Sequence, residues 1–498
     1  MSAAPRSEAS ARPDDAVMRQ VVRELVRVLG RERVLSTPEE LIAFEFDATI
    51  ERARPQAVVF PESTEQVASA VRIAYQFDVP VIPRGAGTGL SGGAVATIGG
   101  VVVALTRMKR VLEIDAPNRL AVVEPGVVNL DLSRAVAPYG LYYAPDPSSQ
   151  RACTIGGNVA ENAGGPHCLA YGATTNHVLG AEVVLADGEV VWIGGRTRDV
   201  SGYDLIGAFV GSEGTLGIAT KIVVRLMRLP ASTRTQLAIF DKVDDASNAV
   251  SAIIGAGILP SALEMMDRNI IAAVEPVIHA GYPLDAEAVL LIEVDGLEES
   301  TIEQAEAIDV ICRAHHARDV RLAVAQLDRE RLWAGRKTSI SALGRLYPNY
   351  YVLDGVVPRT RLVEVLRQTY AIAEKYDLAV ANVFHAGDGN LHPNLLFDER
   401  EPGVTERVLD AGAEIMRACV DAGGSITGEH GVGLEKRDFI SWIFNPADLA
   451  AMAHLKPAFK AGERYNPCKA FPTHKGCGET HQAQIQRTAA AIGTDIYV

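Results

Sequence analysis

The chain reads as an α+β protein of at least two domains. Its 498 residues exceed one ordinary core. Three separate glycine-rich loops lie between short β-branched runs in the first half. Near Pro230 the texture changes to strands alternating with longer helical patterns, which predicts a mainly antiparallel sheet carrying helices. The expected divisions are a polar tail over 1–15, a first domain over 16–229, a second over 230–472 and a loose tail over 473–498.

In chain order, residues 16–29 (AVMRQVVRELVRVL) have helical apolar spacing. Residues 58–61 carry a strand signal. Ser63 and Gln66 make a capping-box pattern opening the helix STEQVASAVRIAYQF. A strand at 79–82 leads into PRGAGTGLSGG, and the β-branched run 99–105 follows as another strand. The region 145–171, PDPSSQRACTIGGNVAENAGGPHCLAY, reads as two small-residue loops, 154–157 and 162–165, around the short segment 158–161. A strand at 178–187 ends in a turn at Gly188, and GSEGTLG precedes a strand at 218–226. Further on, strands are expected at 237–240 and 289–294, and helices at 249–254, 302–315, 401–422 and 446–459.

The first glycine loop looks built to hold phosphate, yet two common solutions fail on spacing. Gly87 and Gly92 suit a P-loop, but Gly93 stands where its lysine belongs. Gly85 and Gly87 begin GxGxxG, but Leu90 stands at the third glycine. What remains is a run of bare amides able to approach an anion, helped by the Thr88 and Ser91 hydroxyls. Three such loops suggest one long ligand, since a mononucleotide needs only one.

Acids outnumber bases 62 to 48, a formal charge of −14 that argues against a nucleic-acid-binding surface. The six cysteines are scattered without a CxxC pair, which excludes the usual iron–sulfur and zinc-ribbon spacings and suggests a reducing compartment. No window approaches a transmembrane span, and residues 1–15 lack a signal-type apolar core.

The chemistry concentrates in the second half. In NVFHAGDGNLHPNLLFD, 378–385 and 391–397 read as paired strands around the turn AGDGN. That hairpin is expected to set His385 and His392 almost opposite each other. GGSITGEHGVG adds Glu429 and His430 in a glycine-rich turn. Two histidines and a carboxylate suit Zn²⁺, Mn²⁺ or Fe²⁺ with open positions for substrate, so His385, His392 and Glu429 form the candidate metal set. His430 then remains as a general base. The alternative is a hairpin whose histidines bond to backbone. Arg336, in LWAGRKT, offers a guanidinium for a carboxylate, with Trp333 packed beside it on a helix. The alternative there is a solvated helix face shared with Lys337.

Together PRGAGTGLSGGA, YYAPDPSSQRACTIGGNVAENAGG, GSEGTLGIAT, NVFHAGDGNLHPNLLFD, GGSITGEHGVG and YNPCK resemble the flavoenzymes with a vanillyl-alcohol-oxidase type of FAD domain. More narrowly, the chain is similar to the glycolate oxidase catalytic subunits and the D-lactate and D-2-hydroxyglutarate dehydrogenases. The resemblance implies a two-subdomain FAD domain with an α+β cap, and oxidation of a small 2-hydroxy acid to the 2-oxo acid. It places Arg84, Gly85, Gly87, Thr88, Gly89, Ser91 and Gly92 around the FAD pyrophosphate. Pro145, Asp146, Ser149, Thr154, Gly156, Gly157, Asn158 and Gly165 would line the flavin and ribityl chain. Glu213, Gly217 and Ile218 would meet the adenine end, and Asn466 the isoalloxazine. Thr88 stands where some relatives tether FAD through a histidine, so FAD is expected to be non-covalent.

The resemblance assigns the metal to His385, His392 and Glu429, the base to His430 and the substrate carboxylate to Arg336. Ile340 and Val352 replace the threonine and lysine of the 2-hydroxyglutarate enzymes, which favours a monocarboxylate such as glycolate or D-lactate. Cys468 replaces a family glycine near Asn466. A second flavin-type subunit and an iron–sulfur subunit are implied as partners, with quinone as acceptor, in the cytoplasm or peripherally on the inner face of the membrane. The rival readings are a flavin-binding scaffold without chemistry, a metallohydrolase and a 2-hydroxyglutarate-type dehydrogenase.

Overall fold

The computed structural model describes residues 12–198, 201–323, 325–462 and 464–471. Of the expected tails, only 12–15 fall within this range. They are held: the Gln56 side chain donates to Pro13 O, and the Asp14 carboxylate caps Ala16 N. The first helix is Asp15–Leu29, and it buries Met18, Val21, Leu25 and Leu29, the one apolar stripe its sequence offers.

The first half carries two small sheets and a two-stranded ribbon of Leu141–Tyr142 with Met227–Arg228. In one, Val34–Leu35 lies antiparallel to Ala57–Val59, while Val101–Ala104 runs parallel to both Ala57–Val59 and Val81–Arg84. The helix Thr64–Gln76 makes the crossover. Ser63 Oγ accepts from Gln66 N as expected, but the Gln66 side chain accepts from Glu62 N, so the box closes one residue early. The other sheet is antiparallel, in the order Val111–Asp115, Leu120–Val123, Ile218–Arg225, Val178–Val184, Val190–Gly194. The two sheets have separate cores.

From Ser232 onward Gly355–Val356 pairs separately with Asn390–Leu391, while most strands join one seven-stranded antiparallel sheet. Its order is Asp319–Ala323, Ser232–Phe240, Ala288–Gly296, Ala262–Asp267, Ala379–Phe384, Pro393–Phe397, Asn349–Val352. Its central strands are buried on both faces, one face packed against Val243–Gly255 and Glu298–Ala314 and the other against Arg268–Ile278. Burial on both sides explains their continuous apolar runs. Near the C-terminus the chain returns to the first half, where Tyr465 bridges Val81.

Three elements differ from the sequence reading. Residues 154–157 are not a loop: Thr154 caps a helix, Ile155–Glu161, whose first turn contains Gly156 and Gly157. The helix expected over 446–459 is two, Pro446–Ala453 and Leu455–Ala458. Pro457 accounts for the break, because its ring conflicts with the carbonyl four residues back. Finally, the hairpin register pairs Asn382 with Pro393 and His385 with Asn390. His392 therefore sits diagonal to His385 rather than opposite.

Candidate active site

A cavity opens between the glycine loops and the large sheet. Arg84, Gly85, Gly87, Thr88, Gly89, Ser149, Thr154, Gly156, Gly157, Asn158, Glu213, Gly217 and Ile218 line it from one side. Arg336, His385, His392, Glu429 and His430 line it from the other. Sixty residues of sequence separate the first two glycine loops, yet they share one wall because the parallel strand Val81–Arg84 and the helix cap at Thr154 deliver them to the same edge.

Six expected contacts stand behind that wall. Ser91 Oγ faces Glu161 at 3.4 Å, and a Cβ on Gly92 would strike Leu434. Pro145 O accepts from the Asn129 amide. The Asp146 carboxylate is held by His167 and Lys337. Gly165, with φ of +139°, lies against the Asp146 backbone, where a Cβ would come within 2.6 Å. Asn466 donates its amide to Gly93 O and Glu213 O, tying the first and third loops together. These residues shape the wall rather than form its lining. Arg84 is spent in part on structure as well, donating to Phe46 O.

The histidines and Glu429 form one cluster. Glu429 Oε1 is 3.0 Å from both His385 Nε2 and His392 Nε2. The two rings are perpendicular, with centroids 5.1 Å apart, the geometry the diagonal register produces. Each ring is anchored through its other nitrogen, His385 Nδ1 on Glu264 at 2.8 Å and His392 Nδ1 on Leu353 O at 3.2 Å. Burial alone would raise the Glu429 carboxyl, but the two histidines hold it well below the usual carboxylate range. The donor set fits a divalent ion: two oriented imidazole nitrogens and an anionic oxygen converge, with a carboxylate and a carbonyl behind them.

His430 stacks on His392 at 4.8 Å. Its Nε2 is 3.7 Å from Glu429 Oε1, and its Nδ1 is buried without a hydrogen-bond partner. Burial pushes its pKa down to about 4 against the opposing charge of Asp354, so the ring is neutral at pH 7 and has a lone pair to accept a proton.

Arg336 is buried, not on a solvated face. Its Nε donates to Glu264 Oε2 at 2.7 Å, and its Nη2 lies 2.6 Å from the same oxygen. Glu264 thus joins Arg336 to His385. Burial would raise the Glu264 carboxyl, but Arg336 and then His385 keep it below its ordinary value. Trp333, one helical turn before Arg336, is engaged by other partners. Its indole donates to Glu293 at 2.7 Å, and its ring lies 5.5 Å from that of His167. Ile340 lines the cavity, whereas Val352 is buried in the sheet.

The cradle on the glycine side suits a large polar ligand. Asn158 presents both amide atoms without a partner. Glu161 lines the same wall. Burial first, then the charges of Glu213 and Asp47, raise its pKa well above the usual carboxylate range. Glu213 uses both oxygens to accept from Val432 N and Gly433 N, each at 2.7 Å, and so ties the third glycine loop to the turn that carries Glu429 and His430. A wall rich in main-chain amides fits a diphosphate.

Sequence reasoning missed Glu264, Glu161, Asp354 and the partners His167 and Glu293 that gather around Asp146. For Glu264 a signal existed, an acid in the middle of the strand ALEMMD with apolar residues on either side. A charge buried in a strand survives only when paired. Cys153, Cys168, Cys312 and Cys419 are free thiols.

Residues 55–194 match the family described as FAD binding domain, and residues 229–470 match FAD linked oxidases, C-terminal domain. The chain is 48% identical over 471 residues to the glycolate oxidase subunit GlcD of Escherichia coli strain K12, covering 93% of this chain and 94% of the relative. It is 33% identical to D-lactate dehydrogenase of Anaerostipes hadrus, covering 90% and 96%. Its fold matches p-cresol methylhydroxylase with a TM-score of 0.79 at 17% identity, covering 92% of this chain and 97% of that one. A two-part flavoprotein architecture and a sequence shared along almost its whole length lead to one statement: the chain belongs to the FAD-linked oxidase family that includes the GlcD glycolate oxidase subunits and D-lactate dehydrogenases.

Proposed function

We propose that this protein oxidises small 2-hydroxy acids, glycolate and D-lactate foremost, to the 2-oxo acids with FAD as electron acceptor. The observation that carries the reading is the convergence of His385, His392 and Glu429, with His430 beside them, on the wall facing the glycine loops. The names of the relatives supply the substrate class.

The loop from Arg84 to Gly92 would hold the FAD diphosphate, and the helix start at Thr154, Gly156, Gly157 and Asn158 would lie along the flavin. Thr88 offers no imidazole for a covalent link. Residues 16–229 would thus carry the cofactor and 230–472 would cap it. Among the described residues no helix is long and apolar enough to cross a membrane. Reducing equivalents would leave through partner subunits, a second flavin-type chain and an iron–sulfur chain, toward quinone.

His385 Nε2, His392 Nε2 and Glu429 Oε1 would hold the divalent ion. When bound, FAD supplies the acceptor for the hydride of the carbinol carbon, and the ion polarises the hydroxyl. His430 Nε2 takes the hydroxyl proton, its ring being kept neutral by burial. Arg336 meets the substrate carboxylate while Glu264 fixes its orientation. Ile340 leaves the cavity without a polar partner for a second carboxylate.

The test is anaerobic mixing of the FAD-loaded protein with both enantiomers of a panel of 2-hydroxy acids, followed by absorbance at the flavin band. Bleaching by glycolate or D-lactate is expected, along with its loss after chelator treatment and its return with Zn²⁺ or Mn²⁺. Flavin that stays oxidised with every member of the panel defeats the proposal.

A further inference from the structure

The turn that carries Glu429 and His430 is held from two sides. From the large sheet, the buried Asp354 carboxylate accepts from Gly428 N at 3.1 Å and His430 N at 2.9 Å. From the first half of the chain, Glu213 accepts from Val432 N and Gly433 N, each at 2.7 Å, and Ser91 O accepts from Leu434 N, also at 2.7 Å. The amides just past the metal-type residues therefore rest on the first and third glycine loops.

The rest of the cradle meets at the same point. Glu213 N donates to Ala160 O at 2.8 Å, in the helix Ile155–Glu161. The Asn466 amide donates to Gly93 O and Glu213 O. Glu213 and Asn466 are buried and take left-handed backbone, with φ of +53° and +40°, which a residue with a side chain keeps only where its surroundings fix it. The turn approaches too closely for side chains of its own. A Cβ at Gly431 would lie 2.6 Å from Glu161 Oε2 and 3.0 Å from Glu213 Oε1, and one at Gly433 would strike Ser91 O.

His385 and His392 do not depend on this junction, being anchored on Glu264 and on Leu353 O. Of the candidate metal set, Glu429 alone rides on the turn.

We propose that Glu213 is a positioning residue that couples the two sites, so that FAD and the divalent ion each tighten the binding of the other. A glycine-rich loop gives up much conformational freedom when a ligand fixes it. Once fixed, the loops present Ser91 O and the Glu213 carboxylate in one place, and the turn that docks there carries Glu429 to the histidines. An ion on Glu429 fixes the same turn and, through the same bonds, the loops. Ordering done by one ligand need not be repeated by the other, and the coupling is equal in both directions. This role rests on the functional reading above, which puts FAD and the ion on opposite walls. The competing account is that Asp354 alone fixes Glu429 while Glu213 only braces the fold, in which case the two ligands bind independently.

The experiment uses the full chain loaded with FAD and stripped of metal by a chelator. The FAD Kd is read from flavin fluorescence on dilution, with and without added Zn²⁺ or Mn²⁺. The ion should tighten FAD about tenfold in the wild type. Glu213→Gln removes the charge and one acceptor oxygen, and should bring that ratio below about twofold. Loss of a mere brace would weaken FAD equally with and without the ion and leave the ratio unchanged. Hydrogen exchange of the wild type gives a second reading that holds even if the variant fails to fold. Adding the ion should slow exchange over residues 211–217, a loop that supplies no metal-type residue. Equal FAD affinity with and without the ion, a wild-type ratio in Glu213→Gln, or exchange over 211–217 indifferent to the ion overturns the coupling alone. A chain that takes up no ion defeats the metal assignment and the coupling with it. Flavin that no 2-hydroxy acid reduces defeats the functional reading yet leaves the ratio measurable, so the two failures are distinct.

Discussion

The two walls of the cavity offer a ligand different chemistry. The glycine wall works through main-chain amides, and its charged side chains are turned to internal duties: Glu213 on the turn of residues 432–433 and Arg84 on Phe46 O. The opposite wall works through side chains: Arg336, Glu264, His385, Glu429 and His392 form one unbroken chain of contacts. Amides are present at every residue, so the first wall depends on backbone path and on the absence of Cβ atoms. Ionised side chains in a buried site must be matched one to one, so the second depends on identity. Substitutions should therefore fail in different ways on the two sides.

The sharpest test of that contrast is His430→Ala. It should bind FAD normally and lose flavin reduction by substrate about 10²- to 10⁴-fold, read by anaerobic stopped flow. Normal reduction would move the base elsewhere. Next is Glu264→Gln, which leaves Arg336 and His385 sharing a neutral partner. Breaking a buried pair costs about 3–5 kcal/mol. The thermal midpoint should drop, and metal content after dialysis should fall while flavin remains. A variant that retains its metal would show that Glu264 does not anchor His385.

On the glycine wall the order of losses should invert. In Gly156→Ala the new Cβ would lie 2.6 Å from Pro125 Cβ and 3.0 Å from Pro125 O, a clash with backbone. Overpacking of this kind costs about 1–3 kcal/mol. The purified protein should come out depleted of FAD yet still hold metal, as seen by comparing flavin absorbance with elemental analysis. Full flavin content would show that the helix start tolerates displacement.

The smallest effect concerns the seam between the walls. Burial would lower His167, but Asp146 and Glu293 raise it to about 10, and its charge with Lys337 holds Asp146 down to about 2. His167 is raised above its ordinary 6.5, so its contribution is complete below that pH and is lost as pH rises through about 10. Asp146 is depressed, so its contribution persists above its ordinary 3.8 and is lost only as pH falls through about 2. Between pH 6.5 and 10 the melting temperature should therefore decline by a few degrees, about 2–4 °C per kcal/mol. His167→Gln should flatten that slope. An unchanged slope would remove His167 from the seam.

Much of the candidate site was legible because its signals are local. GEHGVG and the two histidines of the hairpin announce themselves through residue types that an apolar strand does not otherwise carry. Glu264 and Asp354 were passed over because an acid in or beside a strand resembles many surface acids until burial is known. Asn466, Asp146 and Gly165 were expected on the lining for the opposite reason: a motif shows that a residue matters, but not whether it faces the ligand or braces the loop that does.

Sequence alone pointed to the two-part α+β organisation, most of the glycine loops and the candidate metal-type residue set, since spacing, turn chemistry and composition act over a few neighbours. Tertiary structure decided which partners those groups meet. Glu264 reaches Arg336 across 72 positions and His385 across 121. Whether a buried carboxylate is a ligand, an anchor or a neutral acid depends on which charges the fold brings within a few ångströms, and that distance is written nowhere in the local chain.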